Sequence, residues 1–123
     1  MPITYEIDAK SKMIFLTALG PTSTEDVSAV QARLRADPDF RPTYRQLFDF
    51  LRATPTDIRG RQIESLLGNS PATPTTRRAY VVSPGVGYGT GRVAEAIAEY
   101  QKIAVRIFLD IESARAWLEE EAG

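Results

Sequence analysis

The sequence predicts a single α/β domain in which an N-terminal β-hairpin leads into a mostly parallel five-stranded sheet with four helices. Two observations carry this prediction. After the first two strands, helical segments with one apolar face alternate with short runs of strand-forming residues. The chain has 123 residues, 43% of them hydrophobic, which is the length and composition of one globular domain. We therefore treat residues 1–123 as one domain.

The first two predicted strands form the hairpin. Residues Ile3–Asp8 alternate between apolar and polar side chains, as a strand with one buried face does. A second run rich in strand-forming residues covers positions 12–18, and the polar segment 9–11 between the two runs is short. Gly20 and Pro21 are expected to end the second strand.

The first helix follows directly. Residues 22–24 provide hydroxyl groups for an N-cap, and two carboxylates come next, where they suit the positive end of a helix. Val27, Val30 and Leu34 share one helical face. Pro38 prevents the helix from continuing.

The third strand and the second helix occupy the middle of the chain. Residues 45–51 read as a strand, and a break rich in Thr and Pro follows them. Asp57 precedes a helix with Ile63 and Leu67 on its apolar face, and this helix is expected to end at Gly68.

The last third of the chain supplies two more strands, each followed by a helix. Residues 78–83 form an apolar run typical of a strand covered on both faces, and a helix is predicted over 88–101. Residues 103–109 form the fifth strand, and Asp110 caps the last helix. Because strand–helix–strand units need parallel pairing, we expect strands two to five to be parallel, with strand one antiparallel at an edge.

Composition excludes several kinds of chemistry. The chain has no His and no Cys, which removes serine–histidine and cysteine–histidine catalysis, thiolate metal sites and disulfides. We find no catalytic constellation, no metal site and no motif for a cofactor. A net charge of −1 argues against nucleic acid as a partner. Neither a targeting signal nor a membrane-spanning run is recognisable, so we expect a cytoplasmic protein.

A glycine-rich segment is the first candidate ligand site, because ligands of open α/β sheets bind beyond the carboxyl ends of the strands. Between a strand and a helix, four glycines stand at alternate positions from 85 to 91, and the candidate ligand-binding residues there are Ser83, Tyr88, Gly89 and Arg92. The segment matches neither common phosphate-binding motif. Its structural alternative is a turn that allows close helix packing.

A second group of candidates lies around the loop that follows the third strand. Arg52 and Arg59 are expected near the same edge as Arg92, where they would hold an anion. Asp49 stands at the end of an otherwise apolar strand, either as the floor of a pocket or as a buried group that accepts hydrogen bonds from the loop. Asp57 completes this group. Solvated surface charge explains the arginines equally well.

The order and spacing of these segments resemble the SpoIIAA-like group of the STAS family, the anti-sigma factor antagonist fold, and in particular its stand-alone bacterial STAS/SEC14-like proteins. The similarity covers nearly the whole chain, and it is carried by residues 5–8, 40–50, 81–84, 88–92 and 106–118. The resemblance implies a non-enzymatic regulatory or interaction module, active as a homodimer or with another protein. The lipid-binding relatives imply an apolar pocket.

The phosphoswitch members of that family carry a phosphorylated serine in a loop after the third strand. Laid on this chain, the motif falls on residues 57–60, where Ile58 occupies the phosphoacceptor position. Switching by serine phosphorylation is therefore not expected, although Thr54 and Thr56 lie close by. Two hypotheses follow. The first is a homodimeric interaction module, and the second is a binder of a small anionic or lipid-like ligand at the carboxyl ends of the parallel strands.

Overall fold

A computed structural model of the chain describes residues 2–54 and 60–120. Within these ranges, five strands and four helices alternate as an α/β fold. In chain order they are β1 (Ile3–Asp8), β2 (Met13–Pro21), α1 (Thr24–Ala36), β3 (Arg45–Thr54), α2 (Gly60–Gly68), β4 (Arg78–Val81), α3 (Val86–Gln101), β5 (Val105–Phe108) and α4 (Ile111–Glu119). No helix in the described ranges combines the length and the apolar character needed to cross a membrane.

The five strands form one sheet whose spatial order is the order of the chain, β1-β2-β3-β4-β5. β1 is antiparallel to β2, and each of the other neighbouring pairs is parallel. The sheet is therefore mixed, and the sequence-based description of it as mostly parallel is corrected. The reason is local, because the short connection after β1 reverses the chain, whereas a helix separates each later pair of strands.

The helices cover the two faces of the sheet unequally. Buried residues of α1 pack with β1, β2 and β3, and α3 packs against β5 on the same face. α2 packs against α1 and α3 on that side too. α4 is placed on the opposite face, where Ala114 and Leu118 bury the apolar side chains of Leu47, Ala79 and Val81. Right-handed crossovers between strands that follow one another in space place α1, α2 and α3 on one face, whereas α4 follows the last strand and connects no strands.

Side-chain caps fix the ends of the outer helices. Ser23 accepts a hydrogen bond from the backbone N–H of Asp26, and the Asp26 carboxylate accepts one from the backbone N–H of Ser23. Asp110 caps α4 by accepting hydrogen bonds from Ser113, and these bonds hold the pKa of the Asp110 carboxyl below its usual range. Both caps lie where the sequence places helix starts.

The carboxyl end of α4 is held by two arginines, one at the start of β3 and one directly before β4. Arg77 donates a 2.7 Å hydrogen bond to the carbonyl of Trp117, and its guanidinium lies 5.1 Å from the centre of the indole ring. Arg45 donates to the carbonyl of Leu118 and, at 2.7 Å, to that of Glu120. Cations placed here compensate the negative end of the helix.

Several element boundaries differ from the sequence-based prediction, and β4 (Arg78–Val81) and β5 (Val105–Phe108) are shorter than the predicted 78–83 and 103–109. β2 continues through Gly20, whose φ of +67° suits glycine, to Pro21, and β3 continues to Thr54 because both strands keep pairing with each other up to these residues. α3 begins at Val86, two residues before the predicted start. Gly87 therefore lies inside the helix, together with Gly89 and Gly91, which the predicted helix already contained.

Gly91 is the glycine of α3 that the fold needs. A Cβ atom at this position would stand 3.2 Å from the side chain of Ile107 on β5. Gly89 lies two residues earlier, on the exposed side of the helix, and a Cβ atom there would meet nothing within 4 Å. The close approach of α3 to the sheet therefore explains the glycine at position 91, whereas Gly89 has no packing role.

Candidate ligand-binding cavity

A cavity of about 370 Å³ lies between the sheet and the helices α1, α2 and α3. Its floor is formed by β2, β3 and β4, and its walls are formed by the three helices and the segment that follows β4. Most of the lining side chains are apolar. The cavity therefore offers a ligand an environment similar to a protein core.

Three aromatic rings form the centre of the floor. Phe48 and Phe50 alternate with outward-facing residues on β3, so both rings lie on the cavity side, stacked with their centres 4.3 Å apart. Tyr80 of β4 meets each of them edge-on, with ring centres 6.0 Å apart in both pairs. Burial raises the pKa of the Tyr80 hydroxyl, so the ring stays neutral at physiological pH.

The walls are formed by the apolar faces of the helices. The apolar residues that line the cavity from α1 and α2 are Val27, Val30, Leu34, Ile63, Leu66 and Leu67. The side-chain amide of Gln31 on α1 donates a 2.9 Å hydrogen bond to the carbonyl of Leu66, and this bond joins the two helices beside the cavity. The part of the wall that α3 forms includes two small residues, Gly91 and Ala94.

One end of the cavity is polar and deeply buried. Arg78, the first residue of β4, is 2% exposed and donates hydrogen bonds to three carbonyl groups of the preceding loop. The acceptors are Thr76 at 3.1 Å, Ala72 at 3.1 Å and Thr73 at 2.9 Å. Gln46, 6% exposed, is its direct neighbour on β3 in the parallel register.

Two N–H donors at this end have no partner. The Nε atom of Arg78 and the Nε2 atom of Gln46 are both buried without a hydrogen bond. Burial lowers the pKa of Arg78, because the guanidinium has left water and no carboxylate in the described part of the chain forms an ion pair with it. Within residues 2–54 and 60–120, Arg78 is the one charged residue that lines the cavity.

Of the candidate residues predicted from the sequence, Ser83 lines the cavity. It lies just after β4, and its hydroxyl donates a 3.3 Å hydrogen bond to the carbonyl of Leu51. Asp49 does not line the cavity, because it alternates with Phe48 and Phe50 and so lies on the other face of the sheet. The Asp49 carboxylate accepts a 2.9 Å hydrogen bond from the backbone N–H of Leu51.

Tyr88, Gly89 and Arg92 lie on α3 and are exposed. Arg92 donates a hydrogen bond to the carboxylate of Glu95, one turn further along the helix, and does not reach the cavity. Arg52 is exposed near the end of β3. Ser83 therefore lines the cavity, whereas Arg52 and Arg92 do not.

The remaining sequence-based candidates belong to the end of β3 and the segment that follows it. Asp57 and Arg59, together with Thr56, lie outside the described residues. Thr54, at the end of β3, is exposed and lines the cavity near its edge. A ligand-binding role for the eight predicted residues stays a prediction.

Sequence reasoning missed Gln46 and Arg78. A signal was present, because 78–83 reads as a strand covered on both faces, and Arg78 shares one of these faces with Tyr80. An arginine at the start of a central strand is ordinarily assigned to the sheet edge and to solvent. What buries this one is the loop before β4, whose carbonyls surround the guanidinium.

The polar lining consists of hydroxyl groups, amides and one guanidinium, all of which can orient a ligand by hydrogen bonds. Across the described ranges, no group of three or more acidic side chains is placed so that it could hold a metal ion. No protein-family model matches the chain, and no curated protein matches it either. The resemblance to the SpoIIAA-like group therefore stays a prediction from the residues.

Proposed function

We propose that this protein is a non-enzymatic binding module that holds a small apolar or amphipathic ligand in the cavity between the sheet and α1, α2 and α3. The observation that carries the proposal is the cavity itself, about 370 Å³ and lined mainly by apolar side chains. Binding sites for small molecules have volumes of roughly 300–1,000 Å³ and similar linings.

The energetics of packing support this function. Protein interiors are normally filled to the density of organic crystals, and unfilled apolar volume lowers stability. A ligand that fills the space between Phe48, Phe50 and the helices would restore the missing contacts and bury its own apolar surface. The ligand and the fold would therefore stabilise each other.

A neutral fluorescent probe tests the proposal. N-phenylnaphthylamine should bind the wild-type protein with enhanced emission, because the cavity excludes water from its rings. Ala53→Trp places a large side chain at a half-buried position that lines the cavity, and we expect it to weaken probe binding about tenfold or more.

The matched control is Ala32→Trp, which adds the same side chain to the exposed face of α1, outside the cavity. This variant should bind the probe as the wild-type protein does. If the folded wild-type protein shows no probe binding, or if the two tryptophan variants bind equally well, the cavity is not a ligand site.

A regulatory interaction module is the second candidate function. The observation that favours it is a set of exposed apolar side chains at the end of the sheet where the parallel strands finish, which comprises Leu51, Val86, Tyr88 and Leu109. Val86 is 69% exposed and also lines the cavity. A partner protein or a second copy that binds at this end of the sheet would bury these side chains, and its contact with Val86 would lie next to the ligand site.

A further inference from the structure

The buried polar end of the cavity indicates which class of ligand it takes. We propose that the ligand is an unbranched aliphatic monocarboxylate, with its carboxylate against Arg78 and Gln46 and its chain along the aromatic floor. This inference rests on the proposed function, since it names the chemistry of the same ligand.

The first argument is the pair of unpartnered donors. Buried N–H groups in proteins are nearly always hydrogen-bonded, and each exception calls for a partner. Here two such donors, Arg78 Nε and Gln46 Nε2, belong to residues that face each other on adjacent strands. Adjacent strands are about 4.8 Å apart, so the two oxygens of one carboxylate can accept from both side chains.

The second argument is charge. Arg78 is 2% exposed, and the groups that accept its hydrogen bonds are neutral carbonyls. A buried cation without an anion is costly, and a hydrogen-bonded carboxylate is the usual compensation. Since Arg78 is the charged residue among the described cavity-lining residues, an anionic group brought by the ligand would supply the missing charge.

The third argument is the shape of the apolar part. From Gln46 the lining of the floor continues along β3 through Phe48 and Phe50 to Ala53. At about 3.3 Å per residue this path is roughly 23 Å long. A flexible chain can follow it, with the charged group at the buried end and the chain terminus toward Ser83.

A comparison of two ligands of equal chain length tests this inference. Dodecanoate and dodecanol, each below the concentration at which it aggregates, are titrated against wild-type protein carrying N-phenylnaphthylamine. We expect dodecanoate to displace the probe at a concentration about tenfold lower than dodecanol, because only the acid presents an anion to Arg78.

The decisive variant is Gln46→Glu, which has nearly the same shape and places a built-in carboxylate beside Arg78. We expect it to fold, to bind dodecanol within about twofold of wild type and to lose about tenfold or more in affinity for dodecanoate. Ala32→Glu is the control for the added charge, because it places a carboxylate on the exposed face of α1, outside the cavity. It should retain the preference for the acid.

Should Gln46→Glu fail to fold, Gln46→Met removes the amide donor without adding charge, and we expect it to reduce the preference for the acid about threefold. Equal affinities for dodecanoate and dodecanol in the wild-type protein would contradict the inference that the ligand carries a carboxylate, and the proposed function would still stand. If the probe binds and neither compound displaces it, the inference that the ligand has an unbranched aliphatic chain is wrong. Absence of probe binding would overturn the proposed function itself.

Discussion

Arg78 supports the loop before β4 and also contributes an unpartnered N–H group to the polar end of the cavity. Its Nη atoms donate to three carbonyls of the loop before β4, and its Nε atom remains unpartnered beside the cavity. The same loop is tied to the rest of the fold by Thr76, whose hydroxyl donates a 2.8 Å hydrogen bond to the carbonyl of Pro42. The guanidinium is therefore a structural support for the polar end of the cavity.

We expect Arg78→Met to lower the free energy of unfolding by roughly 2–4 kcal/mol, because the substitution leaves the carbonyls of Ala72, Thr73 and Thr76 without their buried donor. Denaturant unfolding of the ligand-free protein measures this change. Arg52→Met, at an exposed arginine, should stay within about 0.5 kcal/mol of wild type. Equal stability of the two variants would show that the buried hydrogen bonds contribute little.

Single residues also mark the limit of what the sequence can predict. Asp49 and Phe48 are neighbours in sequence, and alternation along a strand predicts opposite faces for them. Which of the two faces carries a cavity depends on how far α2 stands from the sheet, and this distance is set by packing between helices. Sequence patterns report the face of a residue, whereas the empty space between faces is a property of the assembled fold.

At the scale of one element, α3 shows that a glycine-rich segment can have a packing role. The glycines from 85 to 91 suggest a loop near an anion, and the structure places those after Gly85 in the helix α3. Gly85 has a φ of +97° and ends the turn, and Gly91 allows contact with Ile107. The structural alternative considered for this segment, close helix packing, describes Gly91.

Two of the three glycines of α3, Gly89 and Gly91, give a paired prediction. Gly89→Ala should raise the free energy of unfolding by about 0.5–1 kcal/mol, because alanine favours a helix and its Cβ atom meets nothing. Gly91→Ala should be at least about 1 kcal/mol less stable than Gly89→Ala, because Ile107 would have to move. Thermal and denaturant unfolding compare the two. An equal gain at both positions would show that α3 can move away from the sheet at no cost.

For the whole molecule, the sequence predicts the type and order of every element and the antiparallel position of strand one. These features follow from local patterns and from the right-handed crossover rule, which act along the entire chain. The cavity and its buried polar end do not follow from such patterns. They arise where three helices and three strands meet, and each contributes only a few residues to them.

The predicted homodimer is a property of the whole molecule as well. If a second copy covers Leu51, Val86, Tyr88 and Leu109, native mass spectrometry of the gently purified protein should show a dimer, and Val86→Asp should shift it toward monomer. Tyr100→Asp is the control, since Tyr100 is 90% exposed at the far end of α3. A wild-type monomer at all concentrations would contradict the homodimer. The same spectra report any retained ligand as added mass.

The agreement between the order of the strands in space and in the chain has a consequence for biosynthesis. Each strand leaves the ribosome after the neighbour with which it pairs, so the sheet can grow in one direction without waiting for a later strand to insert. The aromatic floor around Phe48 is made before α3, which closes the space above it. During translation the floor is therefore open on one side, and an amphipathic molecule or a chaperone can reach it before the chain is complete.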